Sequence, residues 1–164
     1  MCFRNPLVAR IVEFLSDIGL EVRSGPVSDQ AVLPGIGVAD GVLVIDEARL
    51  RYPGDLLHEA GHLAVATPER RRAMHDNVGD DAAEEMMAIA WSYAAALHLA
   101  IDPAIVFHKD GYRGGASELL ENFNAGLYFA VSTLQWVGMT YDEKRAKNEG
   151  AAAYPKMRRW LRAE

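Results

Sequence analysis

The sequence predicts an α+β domain that is mostly helical, with a small β-sheet next to the helix that contains HEAGH at residues 58–62. Apolar residues recur at helical spacing between residues 7 and 18, which predicts an amphipathic helix. Residues 41–46 form a short β-branched run that is typical of a strand. The most apolar stretch, residues 86–101, is shorter than the roughly 20 residues that cross a bilayer, so it favours a buried helix.

The composition of the chain indicates what class of protein it is and which kinds of partner are not expected. The sequence has 164 residues, of which 50% are hydrophobic and 24% are charged, and this predicts one folded domain over residues 1–164. Because the net charge is −6, no nucleic-acid partner is expected. Cys2 is the single cysteine, so no intrachain disulfide can form and a cytoplasmic location is expected. No membrane association is expected, and the sequence leaves formation of a homo-oligomer open.

Capping and turn residues mark the predicted limits of the N-terminal elements. A helix is predicted over residues 5–18, with Asn5 as its N-cap and Gly19 just after its end. Residues 24–41 are rich in glycine and proline and are predicted to form a loop with one or two short strands. A strand is predicted at residues 42–46, followed by a short turn and then the helix that contains HEAGH.

Two helices are predicted in the middle of the chain. The first begins near Gly54 and ends at about residue 66, because Thr67 and Pro68 follow. A polar link then leads to a long helix from about residue 81 to residue 101. Residues 102–116 are predicted to form a loop.

The C-terminal third is predicted to be helical. One helix is expected over residues 117–136, although Gly126 weakens its middle. Thr140 and Glu143 have the spacing of a capping box and predict the start of a short helix. A last helix is predicted from Pro155 to residue 163.

His58, Glu59 and His62 have the spacing H-E-x-x-H, which is typical of a metal-binding helix. On a helix, His58 and His62 lie one turn apart on the same face and can bind a single ion. Glu59 lies about 100° round the helix, where it can act as a general base toward a metal-bound water. A shuffled chain of this composition would contain the pattern roughly 0.01 times. The alternative is a pair of histidines on a polar helix face without a metal.

A catalytic zinc ion usually has three protein ligands, so one more is needed. The start of the predicted long helix supplies Glu84 and Glu85. Glu85 is preferred, because Ala88 and Ser92 continue its face with small residues that would let this helix lie close to the motif helix. Glu84 instead shares a face with residues expected to pack. Alternatively, both acids could only interact with the positive end of the helix dipole, without binding a metal.

At these residues the sequence resembles zincin-type metallopeptidases, in particular the ImmA/IrrE family of small bacterial peptidases. The shared order is a short helix, a strand, the H-E-x-G-H helix and then a glutamate that opens an alanine- and aromatic-rich helix, over about residues 5–103. The resemblance implies a zincin-like fold, with zinc bound by His58, His62 and Glu85 and with Glu59 as the base. Cleavage of a repressor protein is a role that it also implies.

Three segments are similar to the peptidase domain of FtsH. They are HEAGHLAVA at residues 58–66, AAEEM at residues 82–86, and the stretch from GGAS to GMT at residues 114–140. In that family the third ligand comes from the later helix. The matching position here implies Glu118 or Glu121 as further alternatives for the third ligand.

Hydrolysis of an amide also needs a donor that stabilises the developing oxyanion. His108, Tyr112 and Arg113 lie on a loop whose glycines would allow it to approach a cleft, and each is a candidate. The sequence therefore predicts a zinc-dependent hydrolase, most simply a metallopeptidase acting on a protein or peptide substrate. The alternative is a non-catalytic protein that keeps the zincin fold in order to bind a metal or a partner.

Overall fold

The computed structural model describes residues 3–29, 31–76 and 81–163, which form a layer of helices against a three-stranded sheet. Within these ranges the helices are α1 (Pro6–Asp17), α2 (Asp55–Val65), α3 (Pro68–Ala73), α4 (Ala82–His98), α5 (Ala116–Asn124), α6 (Val131–Trp136) and α7 (Glu143–Glu149). The strands are β1 (Val22–Ser24), β2 (Ile36–Ala39) and β3 (Val42–Ile45). The α+β class predicted from the sequence is therefore confirmed.

Helix α1 has the cap residues that the sequence predicts. The Asn5 side chain accepts a hydrogen bond from the Leu7 N–H at 2.9 Å. Gly19 adopts a left-handed φ of +92°, and the Leu20 N–H donates to the Leu15 carbonyl at 2.9 Å. This arrangement satisfies a terminal carbonyl that a continuing helix would have used. The predicted helix over residues 5–18 is confirmed.

Strand β3 is the centre of the sheet. It pairs in parallel with β1, where Val22 lies opposite Leu43, and in antiparallel with β2, where Val38 lies opposite the same residue. Leu43 and Ile45 are fully buried and join the hydrophobic core. Because β2 also contacts α2, the sheet lies beside the helix of the HEAGH sequence, as expected.

Helices α2 and α4 make the most extensive contact between elements in the fold. Gly61 allows this closeness, because a Cβ atom there would lie only 2.8 Å from the carbonyl oxygen of Ala88. Leu57 and Leu63 of α2 are fully buried, so the helix is anchored in the core. The small residues of both helices therefore set a short distance between their axes.

The long apolar helix α4 begins and ends close to its predicted limits. The side chain of Asp81 caps it by accepting hydrogen bonds from the N–H groups of Ala83 and Glu84. It ends at His98, three residues before the predicted end, and Ala100 follows with a φ of +49°. In the part of the chain described here, none of the helices has both the length and the apolarity needed to span a bilayer.

The prediction of one helix over residues 117–136 is wrong. The structure has two helices there, α5 and α6, because Gly126 takes a φ of +77° and ends the first one. The Leu127 N–H donates to the Asn122 carbonyl at 2.8 Å, and the Gly126 N–H donates to the Phe123 carbonyl at 3.0 Å. These two bonds form a Schellman motif, which is a helix terminus rather than a local weakness.

The helix predicted at residues 155–163 is absent from the structure, and the described part of that segment is irregular. Its backbone forms hydrogen bonds with other elements instead of with itself. The Arg158 N–H donates to the Met139 carbonyl and the Arg162 N–H donates to the Ala64 carbonyl, both at 2.9 Å. Backbone hydrogen bonds to residues distant in sequence are therefore formed instead of the local helix that was predicted from Pro155.

Two smaller predictions also need correction. The polar link after α2 contains the short helix α3, whose cap Thr67 accepts from the Arg70 N–H; residues 77–80 of the link lie outside the described part. Helix α7 exists where a short helix was predicted, but Asp142 caps it by accepting from the Arg145 N–H at 2.7 Å. Thr140 is buried and its hydroxyl donates to the Lys156 carbonyl, so it is not the cap.

Candidate metal centre

One face of α2 lines a cleft of about 500 Å³. Asp55, His58, Glu59 and His62 all contribute to this lining, as their helical spacing requires. Strand β2 and the loop at residues 108–112 form other walls of the cleft. His58, Glu59 and His62 each offer a ligand atom, and these atoms lie within 4.8 Å of one another.

The imidazoles of His58 and His62 converge through their Nε2 atoms, which are 3.2 Å apart. The two rings are nearly perpendicular, at 88°. In a tetrahedral zinc site with Zn–N distances of about 2.05 Å, neighbouring ligand atoms are about 3.3 Å apart. The spacing of these two nitrogen atoms therefore fits two ligands of one ion.

Glu85, in the first turn of α4, lies beside both imidazoles. Its Oε2 is 3.1 Å from Nε2 of His62, and its Oε1 is 3.6 Å from Nε2 of His58. The close contact of Gly61 with Ala88 brings this turn over α2. Two imidazole nitrogens and one carboxylate oxygen are a donor set typical of catalytic zinc, so these residues fit that ion.

The environment of His58 favours its neutral form. Burial and, next, the nearby His62 lower the pKa of His58 to about 4, while Glu85 acts in the opposite direction. Only a neutral imidazole can bind a metal ion, because its lone pair must be free. The fold therefore keeps His58 in the state that metal binding needs.

The carboxyl group of Glu59 holds its proton more tightly than that of an exposed glutamate. Burial raises the pKa of Glu59 to about 6; the proximity of His62 lowers it, and the carboxylates of Asp55 and Glu85 raise it further. A general base works best when its pKa is close to the working pH. Glu59 thus combines the position and the proton affinity that a base in this cleft would need.

The alternative third ligands lie elsewhere. Glu84 is engaged by Arg70, whose Nε and Nη2 donate to its Oε2 at 3.1 and 2.7 Å. Glu118 and Glu121 are exposed on α5 and are not among the residues that line the cleft. Of the four acidic candidates, Glu85 is the one that the structure brings to the histidines.

The loop after α4 brings two of the three oxyanion candidates into the cleft. Nε2 of His108 is 2.8 Å from the Asp55 carboxylate, and the His108 ring stacks on Tyr52 with centroids 3.9 Å apart. The hydroxyl of Tyr112 lies 3.3 Å from Nδ1 of His58. The side chain of Arg113 falls outside the part that the structure describes.

Tyr52 and Asp55 also line the cleft, although neither was predicted from the sequence to belong to the site. Asp55 is buried and bonded to His108, and it precedes Glu59 by one helical turn. That spacing was a usable signal, because residues 55, 58, 59 and 62 follow the i, i+3, i+4, i+7 pattern of one helix face.

Comparisons with protein-family models, with curated proteins and with solved structures found no match to this chain.

Proposed function

We propose that this chain is a zinc-dependent hydrolase, a metallopeptidase of zincin-like fold that acts on a protein or peptide substrate in the cytoplasm. One observation carries the proposal. The two Nε2 atoms of His58 and His62 and the carboxylate of Glu85 lie 3.1–3.6 Å from one another, with Glu59 beside them. The resemblance of the sequence to ImmA/IrrE peptidases supports the same class and a protein substrate.

Each residue has a distinct role in this proposal. His58, His62 and Glu85 would hold the zinc ion. When bound, zinc supplies Lewis acidity, which makes a water molecule more acidic and a substrate carbonyl more electrophilic. Glu59 accepts a proton from the attacking water and can return it to the leaving amine, because its raised pKa suits both steps.

The cleft has one apolar wall and one polar wall, which suits a peptide substrate. Ile36, Gly37 and Val38 of β2 provide an apolar wall, while the candidate ligands and Glu59 lie on the α2 side. Its volume of about 500 Å³ lies within the range typical of ligand sites. A peptide lying between these walls would face the residues that would hold the ion and the Glu59 carboxylate.

A second candidate function is metal or partner binding without hydrolysis. It is favoured by the way His108 and Tyr112 use their polar atoms, since Nε2 of His108 meets Asp55 and the Tyr112 hydroxyl meets Nδ1 of His58. Neither contact is directed at a substrate oxyanion. A non-catalytic protein would tolerate this arrangement without any rearrangement of the loop.

Two measurements on purified protein separate the candidates. Zinc content is measured by mass spectrometry, and hydrolysis of casein and of a peptide library is followed with and without a chelator. A hydrolase is expected to contain one zinc ion per chain and to lose cleavage on chelation. Glu59→Gln should keep the zinc and lower turnover by about 10²–10⁴-fold, whereas Glu69→Gln, at an exposed position on α3, should leave both unchanged. Zinc without chelator-sensitive cleavage would favour the second candidate. Absence of zinc would contradict the hydrolase and would leave only the partner-binding form of the second candidate.

A further inference from the structure

A second cavity, of about 260 Å³, lies on the outer face of the sheet. Successive residues of a strand point to opposite faces, and Ile36 and Val38 of β2 point into the core, where both are buried. Gly37 and Ala39 therefore belong to the outer face, where they are half-buried. Val44 of β3 pairs with Gly37, and these three residues form the floor of the cavity.

The segment between β1 and β2 covers this floor. Val27 lies over β2, because a Cβ atom on Gly37 would be 3.4 Å from Cγ1 of Val27. Arg49 holds the segment in place from the other side of the chain turn. Its Nη1 donates to the Val27 carbonyl at 2.5 Å, and its Nη2 forms an ion pair with Asp29 at 2.6 Å. The cavity is therefore formed without a ligand, as is usual for small-molecule sites.

The lining of the cavity suits an apolar group. Among the described residues that line it, only Ser28 and Asp76 have polar side chains. Val32 lines it as well and is 89% exposed, so a ligand that covers Val32 would remove apolar surface from water. An apolar cavity of about 150 Å³ can hold a benzene ring. A volume of about 260 Å³ thus gives room for the side chain of a leucine, methionine or phenylalanine.

The cavity is continuous with the cleft of the candidate metal centre. Val32, Gly37, Val38 and Asp76 line both spaces. Because Gly37 has no side chain, only backbone separates the two spaces at this position. Successive side chains of an extended peptide point in opposite directions. If one residue of a peptide in the cleft faces α2, its neighbour therefore points toward the outer face of the sheet.

We propose that this cavity binds a large apolar side chain of the peptide whose backbone lies in the cleft. The inference rests on the proposed function and names its substrates more closely. They are peptides with leucine, methionine or phenylalanine at one fixed position relative to the cleaved bond. Val27, Ala39 and Val44 determine this preference, because they line the cavity and are not among the residues that line the cleft.

The test is cleavage by the zinc-loaded protein of a peptide series in which one position at a time is varied. The wild type should prefer leucine, methionine or phenylalanine over alanine at one position. Ala39→Leu fills the cavity from its floor, so it should lower kcat/KM for these peptides about 10–100-fold and leave the alanine peptide unchanged. Val44→Ala enlarges the cavity and should shift the preference from leucine toward phenylalanine.

Ala48→Leu is the matched control for Ala39→Leu. Ala48 is exposed and is not among the residues that line either space, so this variant should cleave the series as the wild type does. Cleavage without a preference for large apolar residues would overturn the inference and leave the proposed function standing. A preference that is unchanged in both Ala39→Leu and Val44→Ala would have the same meaning.

A binding measurement that needs neither zinc nor turnover separates the inference from the proposed function. In metal-free protein with ¹³C-labelled valine methyl groups, N-acetyl-leucinamide should shift the signals of Val27 and Val44, and N-acetylglycinamide should not. Ala39→Leu should remove these shifts, whereas Ala48→Leu should keep them. If no peptide is cleaved, the proposed function is contradicted. The methyl shifts would then still support the cavity as a site for apolar side chains, and their absence would overturn it.

Discussion

Gly61 of α2 faces Ala88 of α4 so closely that a Cβ atom on Gly61 would lie 2.8 Å from the Ala88 carbonyl oxygen and 3.2 Å from its Cα. Backbone atoms, which cannot rotate away, form this contact. The first turn of α4 is therefore held over the face of α2 that presents His58 and His62, and Glu85 reaches them from there. The close packing of α2 against α4 thus requires the glycine in the HEAGH sequence, independently of metal chemistry.

Substitution of Gly61 by alanine should push α4 away from α2. We expect a loss of about 1–3 kcal/mol in the free energy of unfolding, because the helices must separate or strain. Zinc affinity should fall at the same time, since Glu85 moves with α4. Urea unfolding of the metal-free protein and a zinc titration measure the two effects. Gly37→Ala is the control, because its Cβ would meet Val27 at an ordinary 3.4 Å; equal effects in both variants would contradict this explanation.

Glu85→Gln should weaken zinc binding while Glu84→Gln should not. The first change removes the charge nearest to Nε2 of His62, at 3.1 Å. The second disrupts only the ion pair with Arg70, which is partly exposed and therefore stabilises the fold by about 1 kcal/mol or less. Dissociation constants for zinc decide the comparison. A larger loss in Glu84→Gln than in Glu85→Gln would show that the third ligand was assigned to the wrong residue.

Zinc should stabilise the folded protein by mass action. At a free concentration of 100 times its dissociation constant, it should raise the free energy of unfolding by about 2.7 kcal/mol, and chelation should reverse the gain. His62→Ala should abolish the effect. His75→Ala should preserve it, because His75 is exposed beside Asp40 and is not among the residues that line the cleft. Thermal unfolding with and without zinc provides the measurement, and stabilisation that survives in His62→Ala would place the ion elsewhere.

Glu59 and His58 should have opposite effects on acid stability in the metal-free protein. The folded-state pKa of Glu59, about 6, is above its usual 4.5, so its contribution is complete below pH 4.5 and is lost as the pH rises through 6. The pKa of His58, about 4, is below its usual 6.5, so its contribution is complete above pH 6.5 and is lost as the pH falls through 4.

Glu59→Gln removes one of these opposing contributions. Between pH 7 and pH 4.5, this variant should lose about 2 kcal/mol more in free energy of unfolding than the wild type does. Urea unfolding in the presence of a chelator at several pH values tests this expectation. Glu69→Gln, with an exposed carboxylate, should follow the wild type. If the free energy of unfolding changes with pH in the same way in Glu59→Gln and in the wild type, the raised pKa of Glu59 is contradicted.

Local patterns in the sequence predicted the elements that local interactions define. Asn5 and Gly19 bound α1 through side-chain and left-handed backbone conformations that only neighbouring residues determine. The HEAGH spacing likewise places His58 and His62 on one face regardless of the rest of the fold. The preference for Glu85 over Glu84 rested on small residues along one face, and the structure places Ala88 against Gly61 on that side.

The remaining features depend on partners that are distant in sequence. The segment after Pro155 lacks a helix because its backbone bonds to Met139 and Ala64, which no local pattern could reveal. The bond between Asp55 and His108 joins residues separated by 53 positions. Gly126 is a different case, since a local signal was present but was interpreted as a weakness within a helix rather than as its end.

The end of α2 is secured by a guanidinium group and by a segment from the far end of the chain. Nε of Arg71 donates to the Leu63 carbonyl at 2.6 Å. Nη2 of Arg71 donates to the carbonyls of Ala66 and Arg162, each at 3.1 Å. The Arg162 N–H in turn donates to the Ala64 carbonyl. Proteolytic removal of residues 158–163 would take the Arg162 N–H away from the Ala64 carbonyl and the Arg162 carbonyl away from Arg71, and so allow the last turn of α2 to fray. Damage to an irregular surface segment would then loosen the imidazole of His62 from a distance, with no change inside the cleft.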